Sequence, residues 1–341
     1  MMKNPSIVFT APSVAELIDR DFPEQLGEYD VRLKLMTTTV SAGTERSVLM
    51  GKLQAAGYSG FPRQSGYSAG AVVDAVGEKV TRVKVGDRVA ASWTRHSLYY
   101  VLEETRVYPL PDEVSFSEAA LVHIATFPTA AIRKCDIELG ESAIIMGLGV
   151  LGLVSIDLLK MAGAVPIIAV DPVPEKRALA LELGADYALD PFDKDFAKEV
   201  KRLTRGGANV ALEITGIGKG LDMVLDCMAE FGRVALLGCT RDPNFTIDYY
   251  SKVHSRGITM VGAHTNARPQ KESFHGWWTE KDDAEAVLRL LKHRRIDLLR
   301  LVEETHSPAD APTVYGRLVN GSSFPIVQFD WTRLDGLGGE A

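Results

Sequence analysis

Ser142-Ala143-Ile144-Ile145-Met146-Gly147-Leu148-Gly149-Val150-Leu151-Gly152 is a short apolar run that enters three glycines at G-x-G-x-x-G spacing, with helix-forming apolar residues continuing to about Ala162. In a strand, turn, helix order each glycine has its own task. Gly147 permits the tight turn, Gly149 lets backbone come close to a pyrophosphate, and Gly152 lets the helix lie against the strand. The free N–H groups where Val150 and Leu151 open the helix, with its macrodipole, favour phosphate charge. The next strand, Ile167-Ile168-Ala169-Val170, ends in Asp171, 19 residues beyond Gly152. A carboxylate at that spacing accepts the ribose hydroxyls of a dinucleotide. The competing reading makes Asp171 a helix-entry residue ahead of Pro172 and Pro174. As a ribose ligand it would repel a 2'-phosphate, so NAD is expected and NADP is less favoured, with Lys176 and Arg177 a few residues on able to offset part of that repulsion.

Strand and helix alternate around this motif. Helix is expected over 174–183 and 220–230, and strand near 187–189, 210–213, 233–237 and 258–262. Because each parallel crossover needs a helix, the pattern predicts a doubly wound parallel sheet in an α/β fold. Glu213-Ile214-Thr215-Gly216 follows a strand at its carboxyl edge, which makes Thr215 a candidate cofactor contact, unless the glycines at 216 and 218 mark a mere turn. From Ser6 to about Val107 the chain consists of short β-branched runs cut by Gly and Pro, as in a small, bent β domain. A helix over 117–134 connects the two, and the last third adds helices near 281–292 and 308–318 and a strand over 324–329. Both termini fall in the β domain, giving expected boundaries of 1–123 with 266–341 for that domain and 124–265 for the dinucleotide-binding domain.

The 341 residues are 46% apolar and 24% charged, enough for a substantial core and against disorder. With 45 acidic and 38 basic residues the formal charge is -7, which leaves no cationic excess for nucleic acid or an anionic membrane. Cys135, Cys227 and Cys239 are odd in number and far apart, so neither a disulfide framework nor a four-thiolate zinc site is expected, and the chain reads as cytoplasmic. No stretch approaches the roughly 18 to 20 apolar residues that cross a bilayer, and no signal peptide is visible.

With these residues in view, the chain resembles the medium-chain dehydrogenase/reductase superfamily, the zinc alcohol dehydrogenase architecture. The likeness runs from Thr39-Val40-Ser41-Ala42-Gly43-Thr44-Glu45 through Val85-Gly86-Asp87-Arg88-Val89, His96 to Val101, Leu110-Pro111-Asp112, Asp171 with Arg177, and Leu183-Gly184-Ala185-Asp186 to Phe231-Gly232-Arg233-Val234. It implies a GroES-like β domain, a Rossmann domain, a nicotinamide cofactor touching Arg177 as well as the glycines and Asp171, and a homodimer or homotetramer. Ser41 to Arg46, Gly66-Tyr67-Ser68 and His123-Ile124-Ala125-Thr126 are similar to the subgroup containing bacteriochlorophyllide a dehydrogenase.

The zinc enzymes of this superfamily bind catalytic metal through a Cys in C-G-[ST]-D, a His in G-H-E, and a Cys, Glu or Asp near the connecting helix. Here Ala42, Tyr67 and His123 stand at those places, and Ser68 replaces the Glu. Zinc needs three converging donors, alanine offers none, and a phenol with a reference pKa of about 10 is a poor ligand. Arg88 to His96 leaves no room for the lobe that carries a structural zinc. Neither zinc is therefore expected. Without a Lewis acid, side chains must hydrogen-bond the substrate oxygen and take its proton. Thr44 aligns with the proton-relaying hydroxyl of the zinc enzymes, and Tyr67 and His123 are the other candidates, against the alternative that Tyr67 fills a vacated cavity and His123 is a satisfied helix histidine. His96 and His264 are weaker candidates, and Glu45 with Arg46 reads as a surface or hinge pair. Trp277 and Trp278 suit either a pocket floor or a subunit contact. The implied activity is NAD-dependent, zinc-independent oxidation of a secondary alcohol, such as a polyol, sugar or cyclitol. The alternatives are reduction of an activated C=C bond by a quinone or enoyl reductase, or a non-catalytic dinucleotide-binding protein.

Overall fold

The structure, a computed structural model, describes residues 2–52, 60–239, 244–321 and 323–334. It divides into two compact units, Met1–Ile124 with Ala284–Ala341, and Ala125–Asp283.

The first unit opens with a hairpin of β1 (Met2–Ala11) and β2 (Val14–Phe22). Next come β3 (Asp30–Thr39), α1 (Ala42–Leu49), β4 (Ser68–Val76), β5 (Arg88–Ser92), β6 (Tyr99–Glu103) and β7 (Val107–Pro109). In β3 the side chains of Val31, Leu33 and Leu35 are fully buried while their neighbours are only partly so, the period of two that puts one face of a strand against a core. That core gathers Phe9, Leu33, Leu35, Leu49, Tyr315, Phe329 and Trp331. The helix α2 (Phe116–Lys134) runs through the division between the units. Its first residue lies on β4 at Gly70, where a Cβ would come within 2.4 Å of the Phe116 carbonyl oxygen. The absent side chain sets how closely α2 approaches the sheet, and with it the place of His123 two turns on.

The second unit contains β8 (Ala143–Met146), α3 (Val150–Ala162), β9 (Ile167–Val170), α4 (Pro174–Glu182), β10 (Tyr187–Leu189), α5 (Phe196–Leu203), β11 (Ala208–Glu213), α6 (Gly218–Cys227), β12 (Met228–Leu236) and β13 (Thr259–Gly262). All its pairings are parallel, in the order β10-β9-β8-β11-β12-β13. The order reverses between β8 and β11, the switch point at which open α/β sheets bind ligands. The chain then returns to the first unit through α7 (Glu280–Lys292), β14 (Glu304–His306), α8 (Ala311–Asn320) and β15 (Val327–Asp330). There the sheet runs β14-β15-β3-β4-β5-β7, with β6 also on β3.

The second division falls at 283/284, against the expected 265/266. The reason lies in cations that tie 266–283 to α2. Arg268 donates to the Thr126 carbonyl at 2.7 Å, and the Lys134 ammonium donates to the Ala267 carbonyl at 2.6 Å and sits 4.5 Å from the centre of the Trp277 ring. Arg133 stacks 3.8 Å over Trp278 and pairs with the buried Asp283. These contacts hold 266–283 to the second unit. The two tryptophans act as aromatic covers over cations. Burial, with Arg268 close by, pulls the Lys134 ammonium down to about 8. Several elements escape the sequence reading, among them β2, α5, the helix α1 in a stretch read as strands, and the short strand β14. Charged β2 is mostly exposed, and α5 is a two-turn helix that buries only Phe196 and Val200.

Candidate active site

In the second unit β8 ends at Met146 and the chain turns at Gly147, whose φ of +102° is a region that L side chains rarely adopt. A Cβ on Gly152 would lie 2.0 Å from the Gly147 carbonyl oxygen, so the first turn of α3, with Val150 and Leu151, can rest on the loop only because that position is glycine. At Gly149, among the described residues, no atom beyond the glycine and its two chain neighbours lies within 4 Å of where a Cβ would be. The backbone there is bare, which leaves room for a bound group.

Asp171 is 8% exposed and already holds two backbone donors: Oδ2 accepts the Leu148 N–H at 2.9 Å and Oδ1 accepts the Val173 N–H at 2.9 Å. It therefore enters the α4 turn and braces the glycine loop at once. Each carboxylate oxygen keeps a further lone pair for a hydroxyl. The Arg177 guanidinium donates to the Asp171 carbonyl at 2.7 Å and to Asp190 at 3.0 Å, so its charge is matched within the protein. Thr215 lies against the glycine turn, its Cγ2 3.1 Å from the ideal Gly147 Cβ. A residue missed in sequence shapes this loop. Buried Glu213 accepts the Thr215 hydroxyl, the Thr215 N–H at 2.9 Å and the Gly216 N–H at 3.2 Å, and burial raises its carboxyl above the ordinary range. Its only signal was a carboxylate ending an apolar strand.

In the first unit a second polar group forms around the start of α1. Ser41 is the N-cap of that helix, yet its side chain does not cap it; its Oγ accepts the phenolic hydrogen of Tyr67. The Ser41 N–H donates to Glu45 Oε1 at 2.7 Å. Glu45 is 0% exposed, accepts the Tyr315 hydroxyl at 2.5 Å, and lies 3.1 Å from His96 Nε2. It is thus a buried junction of three chain segments, which corrects the surface or hinge role expected for it. Arg46 alone is exposed, and donates to the Val319 carbonyl at 3.0 Å. His96 is buried too, with Nδ1 2.8 Å from the Thr38 hydroxyl, which also accepts the Trp331 indole N–H at 3.0 Å. That is a structural histidine. Burial, and then the Glu45 carboxylate, raise the Tyr315 phenol well above its usual range and keep it a donor.

His123, 2% exposed on α2, meets Tyr67 edge-on with ring centres 5.8 Å apart and Trp93 at 4.8 Å. Trp93 holds a left-handed φ of +63°, and its N–H donates to the Tyr67 carbonyl at 2.7 Å. The structure thus brings Tyr67 and His123 together and adds Ser41 and Trp93, neither of which was singled out in sequence. Thr44 stands half-buried in the first turn of α1. His264 is exposed and accepts the Asn266 N–H through Nδ1 at 3.1 Å.

The donor set does not suit zinc. Ala42 opens α1 and offers no donor, the Tyr67 hydroxyl is hydrogen-bonded to Ser41, and only His123 brings an imidazole to the three positions. Among the described residues no group of three or more His, Cys, Asp or Glu could hold a metal ion, whereas a zinc site needs such a convergence. Also among the described residues, no helix is long and apolar enough to cross a membrane.

Residues 150–279 match the family model described as zinc-binding dehydrogenase. Over 335 residues the chain is 28% identical to L-threonine 3-dehydrogenase of Pyrococcus horikoshii, covering 89% of this chain and 92% of that protein. It is 25% identical over 247 residues to D-guloside 3-dehydrogenase of Escherichia coli, covering 72% and 70%. The crystal structure of 2R,3R-butanediol dehydrogenase from Bacillus subtilis shares the fold with a TM-score of 0.80, at 23% identity and over 96% of this chain and 99% of that one. The matched model within the second unit and the dehydrogenases that span most of the chain support an oxidoreductase of the medium-chain dehydrogenase/reductase type.

Proposed function

We propose that this protein is an NAD-dependent, zinc-independent alcohol dehydrogenase acting on a secondary alcohol or its ketone. The observation that carries the reading is a glycine turn and carboxylate fit for a dinucleotide in a chain whose metal position holds the Tyr67–Ser41 pair beside His123. Gly147, Gly149, Val150, Leu151, Gly152, Asp171 and Thr215 would hold the cofactor, with Arg177 buttressing Asp171. The match of Arg177 to Asp190 supports NAD over NADP, because no free guanidinium awaits a 2'-phosphate at that place. Bound nicotinamide supplies the hydride acceptor in oxidation and the donor in reduction. Since the hydroxyl proton must leave as the carbinol carbon is oxidised, Tyr67 Oη takes it while handing its own hydrogen to Ser41 Oγ, whose hydrogen leaves to water, so that each oxygen again carries one proton. His123 and Thr44 are the other polar groups assigned to the substrate oxygen. The likeness of Ser41 to Arg46 and Gly66 to Ser68 to the bacteriochlorophyllide a dehydrogenase subgroup supports a zinc-free site.

The names of the relatives support a substrate bearing neighbouring polar groups, such as a polyol, sugar or cyclitol. The three widely spaced thiols, none in a disulfide, support a cytoplasmic setting, and β13, an edge strand, supports pairing of two copies in a homodimer or homotetramer. The reading is tested by steady-state turnover of 2,3-butanediol, sorbitol, myo-inositol and L-threonine with NAD and with NADP. At least one of these alcohols should be oxidised with higher kcat/KM on NAD. Tight NADH binding with no turnover of any of them would overturn the dehydrogenase assignment.

A further inference from the structure

Glu213 ends β11 at the carboxyl edge of the parallel sheet, and the proposed chemistry makes no use of its carboxylate. A buried carboxylate is costly to keep without a cation. Glu213 is 4% exposed, and among the described residues its carboxylate bonds no cation, only the Thr215 hydroxyl and the Thr215 and Gly216 N–H groups. The charges on neighbouring elements are engaged elsewhere. On α6, Lys219 lies 5.1 Å from the centre of the Phe192 ring, while Asp222 and Asp226 pair with Lys252. Across the glycine turn Asp171 holds the Leu148 and Val173 N–H groups. The strand partners of Glu213 are Met146 and Leu236, both apolar, and Cys239 brings a thiol to the loop after β12. What Glu213 does instead is join three turns. Its backbone carbonyl accepts the Leu237 N–H at 2.9 Å and the Gly238 N–H at 2.8 Å, just past β12. Its carboxylate shapes the Thr215–Gly216 turn, and Thr215 Cγ2 abuts the glycine turn, 3.1 Å from the ideal Gly147 Cβ. A Cβ on Gly216 would lie 2.4 Å from the Cys239 carbonyl oxygen, so the far side of the turn is packed as closely.

We propose that Glu213 is a positioning residue for the dinucleotide: its carboxylate pegs the Thr215–Gly216 turn against the glycine turn, and protonation of that carboxylate weakens cofactor binding. The proposal rests on the reading of the glycine turn as the dinucleotide site. These turns end β8, β11 and β12, where the strand order reverses and an open sheet takes its ligand. The two backbone N–H groups can only donate, so the carboxyl is their acceptor. Hydrogen bonds to an ionised group are roughly twice as strong as those between neutral ones, so a proton on Glu213 loosens the turn without removing an atom. Burial raises the carboxyl above the ordinary glutamate range against the opposing pull of these hydrogen bonds, which moves the transition toward neutrality. A cofactor that selects the ionised form binds fully above the raised pKa and is lost as the pH falls through it. By reciprocity, binding expels the proton to the buffer from chains that carry it.

The test is calorimetric titration of the protein with NADH from about pH 5 to about pH 8, the span into which burial moves a carboxyl, in paired buffers of different ionisation heat. Wild type should bind less tightly as the pH falls and should release protons on binding at the acid end. Glu213→Gln keeps the shape but has no charge and turns an amide NH₂ toward one of its former donors. It should bind NADH about tenfold more weakly at the upper pH, the scale of one charge-assisted hydrogen bond, and lose most of the pH dependence and proton release. Thr215→Val removes a hydroxyl that favours the ionised form, and should shift the midpoint of the affinity profile to higher pH. A wild-type affinity that is flat over this range overturns the proposal whether or not Glu213→Gln folds. So does an unshifted midpoint in Thr215→Val, or a Glu213→Gln that melts cooperatively yet keeps the wild-type affinity and proton release. Wild type that binds neither NADH nor NADPH at any pH would instead sink the dinucleotide reading and this proposal with it, whereas binding with no pH dependence leaves that reading standing.

Discussion

Replacing Tyr67 by phenylalanine should lower kcat by about 10²- to 10³-fold, the scale of losing a positioned proton-transfer group, and leave NADH affinity within about twofold. The substitution keeps the ring and so preserves the edge-on contact with His123 at 5.8 Å and the tilted contact with Trp93 at 6.3 Å. It removes a single oxygen, the one bonded to Ser41. A fall in kcat therefore reports the hydroxyl and not a collapsed cavity. His123→Asn, tested beside it, should lower kcat as well, by a smaller factor, since an amide retains a polar group near the same place. Steady-state kinetics with the best alcohol of the panel, together with NADH fluorescence titration, separates the two quantities. Equal turnover in wild type and Tyr67→Phe would return Tyr67 to the role of filling space.

The second large effect is expected at Asp171. Removing a carboxylate that accepts ribose hydroxyls loses a charge-assisted bond worth about 1.5 to 3 kcal/mol, which is roughly 10- to 100-fold in affinity. Asp171→Ala should weaken NADH by that factor and NADPH far less, because the same carboxylate repels a 2'-phosphate. The absolute losses are mixed with a structural part, since the variant also frees the Leu148 and Val173 N–H groups that Asp171 now holds. That part weakens both cofactors alike. The ratio of the two dissociation constants, measured by calorimetry, isolates the ribose contact. An unchanged ratio would mean that Asp171 only braces the turn.

The parts of this molecule that could be read from its sequence are those fixed over short distances. Three glycines at set spacing after an apolar strand specify a turn, a bare backbone and a helix contact within eleven residues, and Gly147, Gly149 and Gly152 have those three environments. Tyr67 and His123 could be matched to motif positions and are found in ring contact. Glu45 shows the limit. Beside Arg46 it reads as surface, but its partners His96 and Tyr315 lie 51 and 270 residues away, and only folding brings them to it. Ser41 escaped notice for the same reason: the helix it precedes lies in a stretch that reads as short strands, and its partner Tyr67 is 26 residues away. The polar segment 266–283 looks like the start of the returning β domain. It is claimed for the second unit by Arg133 and Lys134, which hold two tryptophans and an aspartate of the segment, and by its own Arg268, which reaches back to the Thr126 carbonyl; such contacts have no periodic signature.

The account depends on side chains doing what a metal ion does in zinc-dependent alcohol dehydrogenases. Elemental analysis of protein purified without chelator, run in parallel with turnover before and after dialysis against a strong chelator, tests that most directly. The expected result is far less than one zinc per chain and a rate that dialysis leaves unchanged. One zinc per chain, lost with activity on dialysis and restored with it when zinc is returned, would contradict it.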